Sequence, residues 1–261
     1  MANSRTFNIT FGTNRVKLVA SDVSRYQKEQ WISSVVIAPG ERYVVDVQFE
    51  GPGQTVIANT IQAVNHFRGE FYPHVDTLSN ITVSHQNVEN DLDDEFAILR
   101  ENSEVISEIQ EVEGYFNGAP DYELETTVRV RDLPTSIVIS MESDTFYVAP
   151  MEWNDAMPMM NWLSSGEQVT WVLREKTSGL ENDDIQWEFN QDDIVKIRIF
   201  NSPDSFHPMN HPIHIHGQRF LVLERDGIRN QNLVWKDTAI LPVGSTTVSY
   251  THLTLPTNRE V

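Results

Sequence analysis

The chain has 261 residues, with 38 acidic side chains against 19 basic ones and a formal net charge of −19. That balance argues against nucleic acid and anionic membranes, which require basic patches, and it favours attraction of cations at low salt. There is no cysteine, so no disulfide, and no run of eighteen apolar residues that would span a bilayer.

The length predicts one or two domains. Phe7 to Phe11 and Val16 to Ala20 read as short strands about a Gly12-Thr13-Asn14 turn. Ile32 to Ala38 is a further strand, stopped by Pro39-Gly40. Tyr43, Val45, Val47 and Phe49 alternate as in a half-buried strand, and Gln54 to Thr60 follows.

The pattern changes between Asn90 and Tyr115. Leu92, Phe96 and Leu99 fall at helical spacing, and Ile106 and Ile109 continue it after a break near Asn102-Ser103. Asn90 or Asp91 can cap the start. One or two amphipathic helices are expected here, as a connector.

Strands return at Leu124 to Val130, Ser136 to Met141, Gln168 to Leu173, Ile185 to Phe189, Ile194 to Phe200, Phe220 to Glu224 and Ala239 to Leu241. Short strands with turn signals between them predict an all-β Greek-key sandwich.

The densest chemistry lies in His211-Pro212-Ile213-His214-Ile215-His216-Gly217. Side chains on a strand alternate faces, so His214 and His216 point the same way, their roots roughly 6.6 Å apart. His211 precedes His214 by an odd spacing and tends to the opposite side. Imidazole suits copper, zinc, iron and nickel. A lone His in a strand is usually only a satisfied polar residue; three in six residues entering an apolar strand point to metal.

Trp187-Glu188-Phe189, Asp193-Ile194-Val195-Lys196, the Met209 to Gly217 run and Leu233-Val234-Trp235-Lys236-Asp237-Thr238 together resemble the last cupredoxin domain of the multicopper oxidases, the laccase-like enzymes. The resemblance is specific over 187–247. A looser one, over Arg5 to Asn59, is to the second domain of the same family.

It implies cupredoxin-like Greek-key β-sandwiches with a short helical connector. A partial second domain would occupy 1–75, an acidic linker with helices 76–123, and a C-terminal domain without its final strands 124–247. It also implies that the parent protein is a copper-dependent oxidase, which couples one-electron oxidations to reduction of O2 to water. His211 would ligate type 1 copper and admit electrons. His214 would ligate type 2 copper and His216 a type 3 copper. The implied partners are O2 and a small-molecule or metal-ion electron donor, with no nucleic acid and no membrane. The implied location is periplasmic or secreted, although no signal peptide opens this chain.

The departures from the family matter as much. A type 1 site needs a thiolate, and the family's His-Cys-His segment is absent here, as is its first domain. The resemblance therefore makes this chain a fragment, inactive alone. Residues 248–261 resemble adaptor read-through from shotgun sequencing. They are expected to be non-native and to add little to the core, and His252 is not expected to be a ligand. Two other readings stand beside the oxidase: a copper-free cupredoxin-fold structural or interaction protein, and a β-sandwich that binds metal without redox work.

The remaining candidates are weaker. Met151 and the Met157-Pro158-Met159-Met160 run could bind cuprous ion, but packing is the commoner use of methionine. His66, His74, His85 and His207 are read as surface or structural. Asp204 and Asp237 could orient imidazoles, although caps and turns are the commoner roles.

Overall fold

The structure is a computed structural model. It describes residues 6–65, 70–86, 92–133, 135, 151–153, 168–206 and 208–253, with the side chains at 63–65, 70, 71 and 151–153 left aside. Most of it is antiparallel β-sheet, the all-β class expected of cupredoxin-like sandwiches.

The first unit is built from β1 (Phe7–Thr10), β2 (Arg15–Ser21), β3 (Ser24–Ile32), β4 (Val35–Ile37), β5 (Tyr43–Gln48), β6 (Gly53–Asn65) and β7 (Glu70–Val83). β3, β2 and β5 form one sheet; β4, β1, β6 and β7 form another, with β9 (Met151–Trp153) added in parallel beside β6. β7 pairs with β6 as far as Val83. The ladder crosses position 75 and carries a bulge at Ile57–Ala58.

Two helices follow, α1 (Asp93–Ala97) and α2 (Ser103–Val112), with the break at Asn102 where the sequence places it. The expected caps Asn90 and Asp91 lie outside the described residues. α2 is packed against the chain that follows it. Its Ile109 joins Leu221, Leu223, Leu233, Trp235 and Tyr250 in one buried cluster.

The last domain contains β8 (Tyr122–Val130), β10 (Val169–Glu175), β11 (Ile194–Asn201), β12 (His211–His214), β13 (Phe220–Arg225), β14 (Ile228–Arg229), β15 (Trp235–Lys236), β16 (Thr238–Leu241) and β17 (Thr246–His252). Its main sheet runs β10-β8-β11-β17-β13-β14, with β15 beside β13. α2 covers one face. The two-stranded β12–β16 sheet covers the other, through Leu241 on Leu124 and Ile199, and Ala239 on Phe220 and Val222. β13 shows the alternation directly: Leu221 and Leu223 face the helix, while Phe220 and Val222 face β16.

Two expectations fail here. Residues 248–252 are not a dispensable tail. They belong to β17, which lies between β11 and β13 in the middle of the sheet, seven residue pairs on one side and five on the other. Val248 and Tyr250 are buried, Tyr250 completely. The reason is positional: a central strand has both faces covered, so alternate residues serve two cores. Ile185 to Phe189 is not a strand. Trp187 instead stacks on Tyr122, ring centroids 4.2 Å apart, and the segment lies on the core without a ladder. The segments 136–141 and 154–162 lie outside the described residues.

Candidate metal centre

β12 carries the histidine motif because β16 holds it in register. His211 faces Leu241, Pro212 faces Ile240, Ile213 faces Ala239 and His214 faces Thr238. Proline is tolerated in a strand only where its missing N–H is not needed, and among the described residues β12 has a single partner strand, β16. Ile213 and Ile215 turn into the core. By the alternation of strand side chains, His214 and His216 turn outward.

The two outward rings meet edge to face, their centroids 4.8 Å apart. Gly217 follows at φ +70°, the left-handed conformation in which glycine is unstrained, and it turns the chain back into β13. His211 lies apart from this pair, against Trp171 of β10, with ring centroids 5.5 Å apart and planes nearly perpendicular. Burial pushes the His211 imidazole below its ordinary pKa. It is therefore neutral at neutral pH, the form that ligates metals. The structure thus brings His214 and His216 together and keeps His211 away from both.

The His214 ring is oriented by Asp237 and Thr238, at the start of β16. Its Nδ1 lies 2.7 Å from the main-chain oxygen of Asp237 and 3.0 Å from Thr238 Oγ1. Both contacts are met when Nδ1 carries the proton, which leaves Nε2 bare and directed outward. A metal-ligating imidazole is commonly held in this way, by a carbonyl or carboxylate on its other nitrogen. Sequence reasoning raised Asp237 as an orienting residue, and the geometry gives it that contact through its backbone.

Other side chains contribute nothing comparable. His74 pairs with Asp76 at 2.8 Å on β7, and His252 is 3.8 Å from Asp192 at the end of β17. Asp204 lies exposed in a turn. His66 and His207 lie outside the described residues. Among the described residues no three His, Asp or Glu side chains converge as a complete metal site. The donor chemistry fits part of a copper centre, since two neighbouring imidazoles suit copper. It does not fit a thiolate-ligated copper made by these residues alone, because the chain has no cysteine.

Sequence reasoning missed Trp171 and Arg42. Arg42 lies in the first unit and pairs with the Asp237 carboxylate, Nη2 to Oδ2 at 2.6 Å and Nη1 to Oδ1 at 3.2 Å. No local signal marks it, since 195 positions separate the two residues.

The sequence model of the multicopper oxidase family matches residues 152–257. The fold is similar to that of a multicopper oxidase from Campylobacter jejuni described as a metallo-oxidase, with TM-score 0.57 and 14% identity over 97% of this chain and 47% of that one. A multicopper oxidase from Pediococcus acidilactici matches with TM-score 0.52 and 14% identity, over 97% of this chain and 41% of that one. Lac15, from a marine microbial metagenome, matches with TM-score 0.51 and 16% identity, over 96% and 46%. No curated protein matches the chain by sequence. The chain thus spans about half the length of the structures it resembles. The matched residues 152–257 hold the histidine motif and the strand that positions it, so this part of the chain is similar to the multicopper oxidases in sequence, and the solved structures share its fold.

Proposed function

We propose that this chain is part of a laccase-like copper oxidase, which couples four one-electron oxidations to the reduction of O2 to water. Copper, when bound, supplies the redox chemistry; the protein supplies ligands and geometry. His211 would be one ligand of a type 1 copper whose thiolate lies outside this chain, and His214 and His216 would be ligands of the type 2 and type 3 coppers; such coppers would supply electron entry and O2 reduction. The electron donor is a small molecule or a metal ion. A periplasmic or secreted location accompanies this reading, which rests there on family likeness.

One observation carries the proposal. The outward pair of rings, 4.8 Å apart, and the separate His211 against Trp171 divide one short segment between two places. A single mononuclear site would gather the three.

The test is substitution in the complete protein that contains this chain. His211→Ala should abolish the intense thiolate-to-copper absorption while the other coppers stay bound. His214→Ala or His216→Ala should deplete those coppers and O2 consumption while the colour persists. Loss of the same copper in all three variants would refute the division. The 261-residue chain alone should show neither the band nor O2-dependent phenol oxidation with added Cu(II), since it contains no thiol.

A further inference from the structure

The contacts around Asp237 have a direction. Thr238 Oγ1 donates to Asp237 Oδ1 at 2.8 Å, so that hydroxyl proton is committed. Towards His214 the hydroxyl oxygen can then only accept, and the Asp237 main-chain carbonyl can only accept. Nδ1 therefore faces two acceptors and must hold the proton.

The commitment of Thr238 depends on where the Asp237 carboxylate stands. Arg42 holds it there with both Nη atoms, a two-point pairing that fixes the plane of the carboxylate as well as its position. Arg42 is itself fixed. Its Nη1 donates to Gly40 O at 3.0 Å, and its main chain exchanges hydrogen bonds with Asp22, each 2.8 Å. Gly40, at φ +86°, packs close to Thr238: a Cβ there would lie 3.5 Å from the Thr238 methyl.

We propose that Arg42, a residue of the first unit, is a positioning residue for the His214 imidazole of the last domain. Arg42 holds the Asp237 carboxylate, the carboxylate takes the Thr238 hydroxyl proton, and the resulting pair of acceptors keeps His214 protonated at Nδ1 with Nε2 bare. The metal-binding face of the motif is thus set by a contact between two structural units. This rests on the reading of His214 as a metal ligand only for its consequence; the tautomer itself is independent of copper.

The experiment is long-range 1H–15N NMR on the 15N-histidine-labelled chain without metal at pH 8, with His214 assigned from the spectrum of His214→Gln. Wild type should show a single Nδ1–H tautomer for His214. Arg42→Met should move both ring nitrogens toward the averaged values of free imidazole. Arg42→Lys should fall between, since an ammonium cannot span both carboxylate oxygens. Added Cu(II) should bind Arg42→Met roughly 10–100-fold more weakly, the usual loss when the partner of a metal-ligating imidazole is removed.

Asp237→Asn keeps the carbonyl and the shape but breaks the ion pair, and it should repeat the Arg42→Met spectrum. It decides the matter if Arg42→Met does not fold. An unchanged His214 in either folded variant overturns the proposal, and so does an Nε2–H tautomer in wild type, which needs no variant at all. A fixed Nδ1–H tautomer in this chain, with no copper at His214 in the complete protein that contains it, would leave this proposal standing and sink the copper reading instead.

Discussion

Truncating Tyr250 tests whether the end of the chain is a working strand. Its ring is fully buried between α2 and the main sheet, in the cluster with Ile109, Leu221, Leu223, Leu233 and Trp235. Phe116 meets it edge to face at 5.3 Å. An aromatic side chain buries roughly 150–250 Å2, worth about 4–6 kcal/mol at ~25 cal/mol per Å2. Alanine keeps a small part of that, so Tyr250→Ala should cost about 3–5 kcal/mol, a large share of the ~5–15 kcal/mol of a typical domain. Tyr250→Phe separates packing from polarity. The hydroxyl is buried without a hydrogen-bond partner among the described residues, a situation that costs about 1–3 kcal/mol. Phenylalanine should therefore be neutral or stabilising. Urea unfolding followed by tryptophan fluorescence reads both variants, since Trp235 lies in the same cluster. Ending the chain after Thr247 should be at least as damaging as Tyr250→Ala. A loss below about 1 kcal/mol for Tyr250→Ala would refute the central placement of β17, because surface residues change stability by only that order.

Two further outcomes follow from buried charge. Lys236 is buried with its Nζ 2.9 Å from Asp22 Oδ2 and 3.4 Å from Glu41 Oε1, so Lys236→Met should cost about 3–5 kcal/mol by strandinging two carboxylates away from water; partial recovery in Lys236→Met/Glu41→Gln is expected, and a loss under about 1 kcal/mol in denaturant titrations would contradict the pairing. Burial pushes the Glu29 carboxyl up, but hydrogen bonds from Arg100 and Lys17 outweigh this and hold it below its usual value of 4.5. A depressed folded pKa gives stability that is complete above the unfolded value and fades as pH falls through the folded one. The urea midpoint should therefore fall as pH drops below about 4.5, and Glu29→Gln should lower it at pH 7 while flattening the acid side. Equal acid sensitivity in wild type and Glu29→Gln would show that other carboxylates carry it.

What was legible in the sequence was whatever a short-range period governs. The parity of the histidine segment is such a case: Ile213 and Ile215 enter the core, so His214 and His216 cannot. The break between the helices at Asn102 is another. The alternation Val248-Ser249-Tyr250-Thr251 was equally visible, but the likeness to adaptor read-through outweighed it, and the ladder with β11 and β13 reverses that judgement. Ile185 to Phe189 alternates as a strand does, yet stacking of Trp187 on Tyr122 uses the same apolar pattern without a ladder. Arg42 was illegible in principle. Its importance comes from Asp237, far along the chain, and no spacing rule connects an arginine after a Pro-Gly turn to a carboxylate beside a strand.

The junction between the first unit and the last domain explains why such a residue can matter. Near Asn232 it is a set of directional contacts. Asn232 exchanges hydrogen bonds with the main chain of Lys28 at 3.0 and 2.7 Å, and the Gln27 side chain accepts from Leu233 N at 2.9 Å. Further along, Ser21, Asp22 and Glu41 surround Lys236, and Glu41 Oε1 also accepts from Ile240 N at 3.3 Å. An apolar contact of the same area tolerates sliding by a fraction of a residue; buried donors and acceptors do not, because each one displaced is left without water or partner. The segment so gripped, from Trp235 to Leu241, ends in β16, the strand that β12 pairs with. Its one edge reads the position of the first unit, and its other edge sets the register of the histidines. A shift of the Ala38 to Arg42 turn would therefore reach His214 through two residues, Asp237 and Thr238, while Glu41 on Ile240 ties the same turn to the other end of that ladder, where Pro212 and His211 pair.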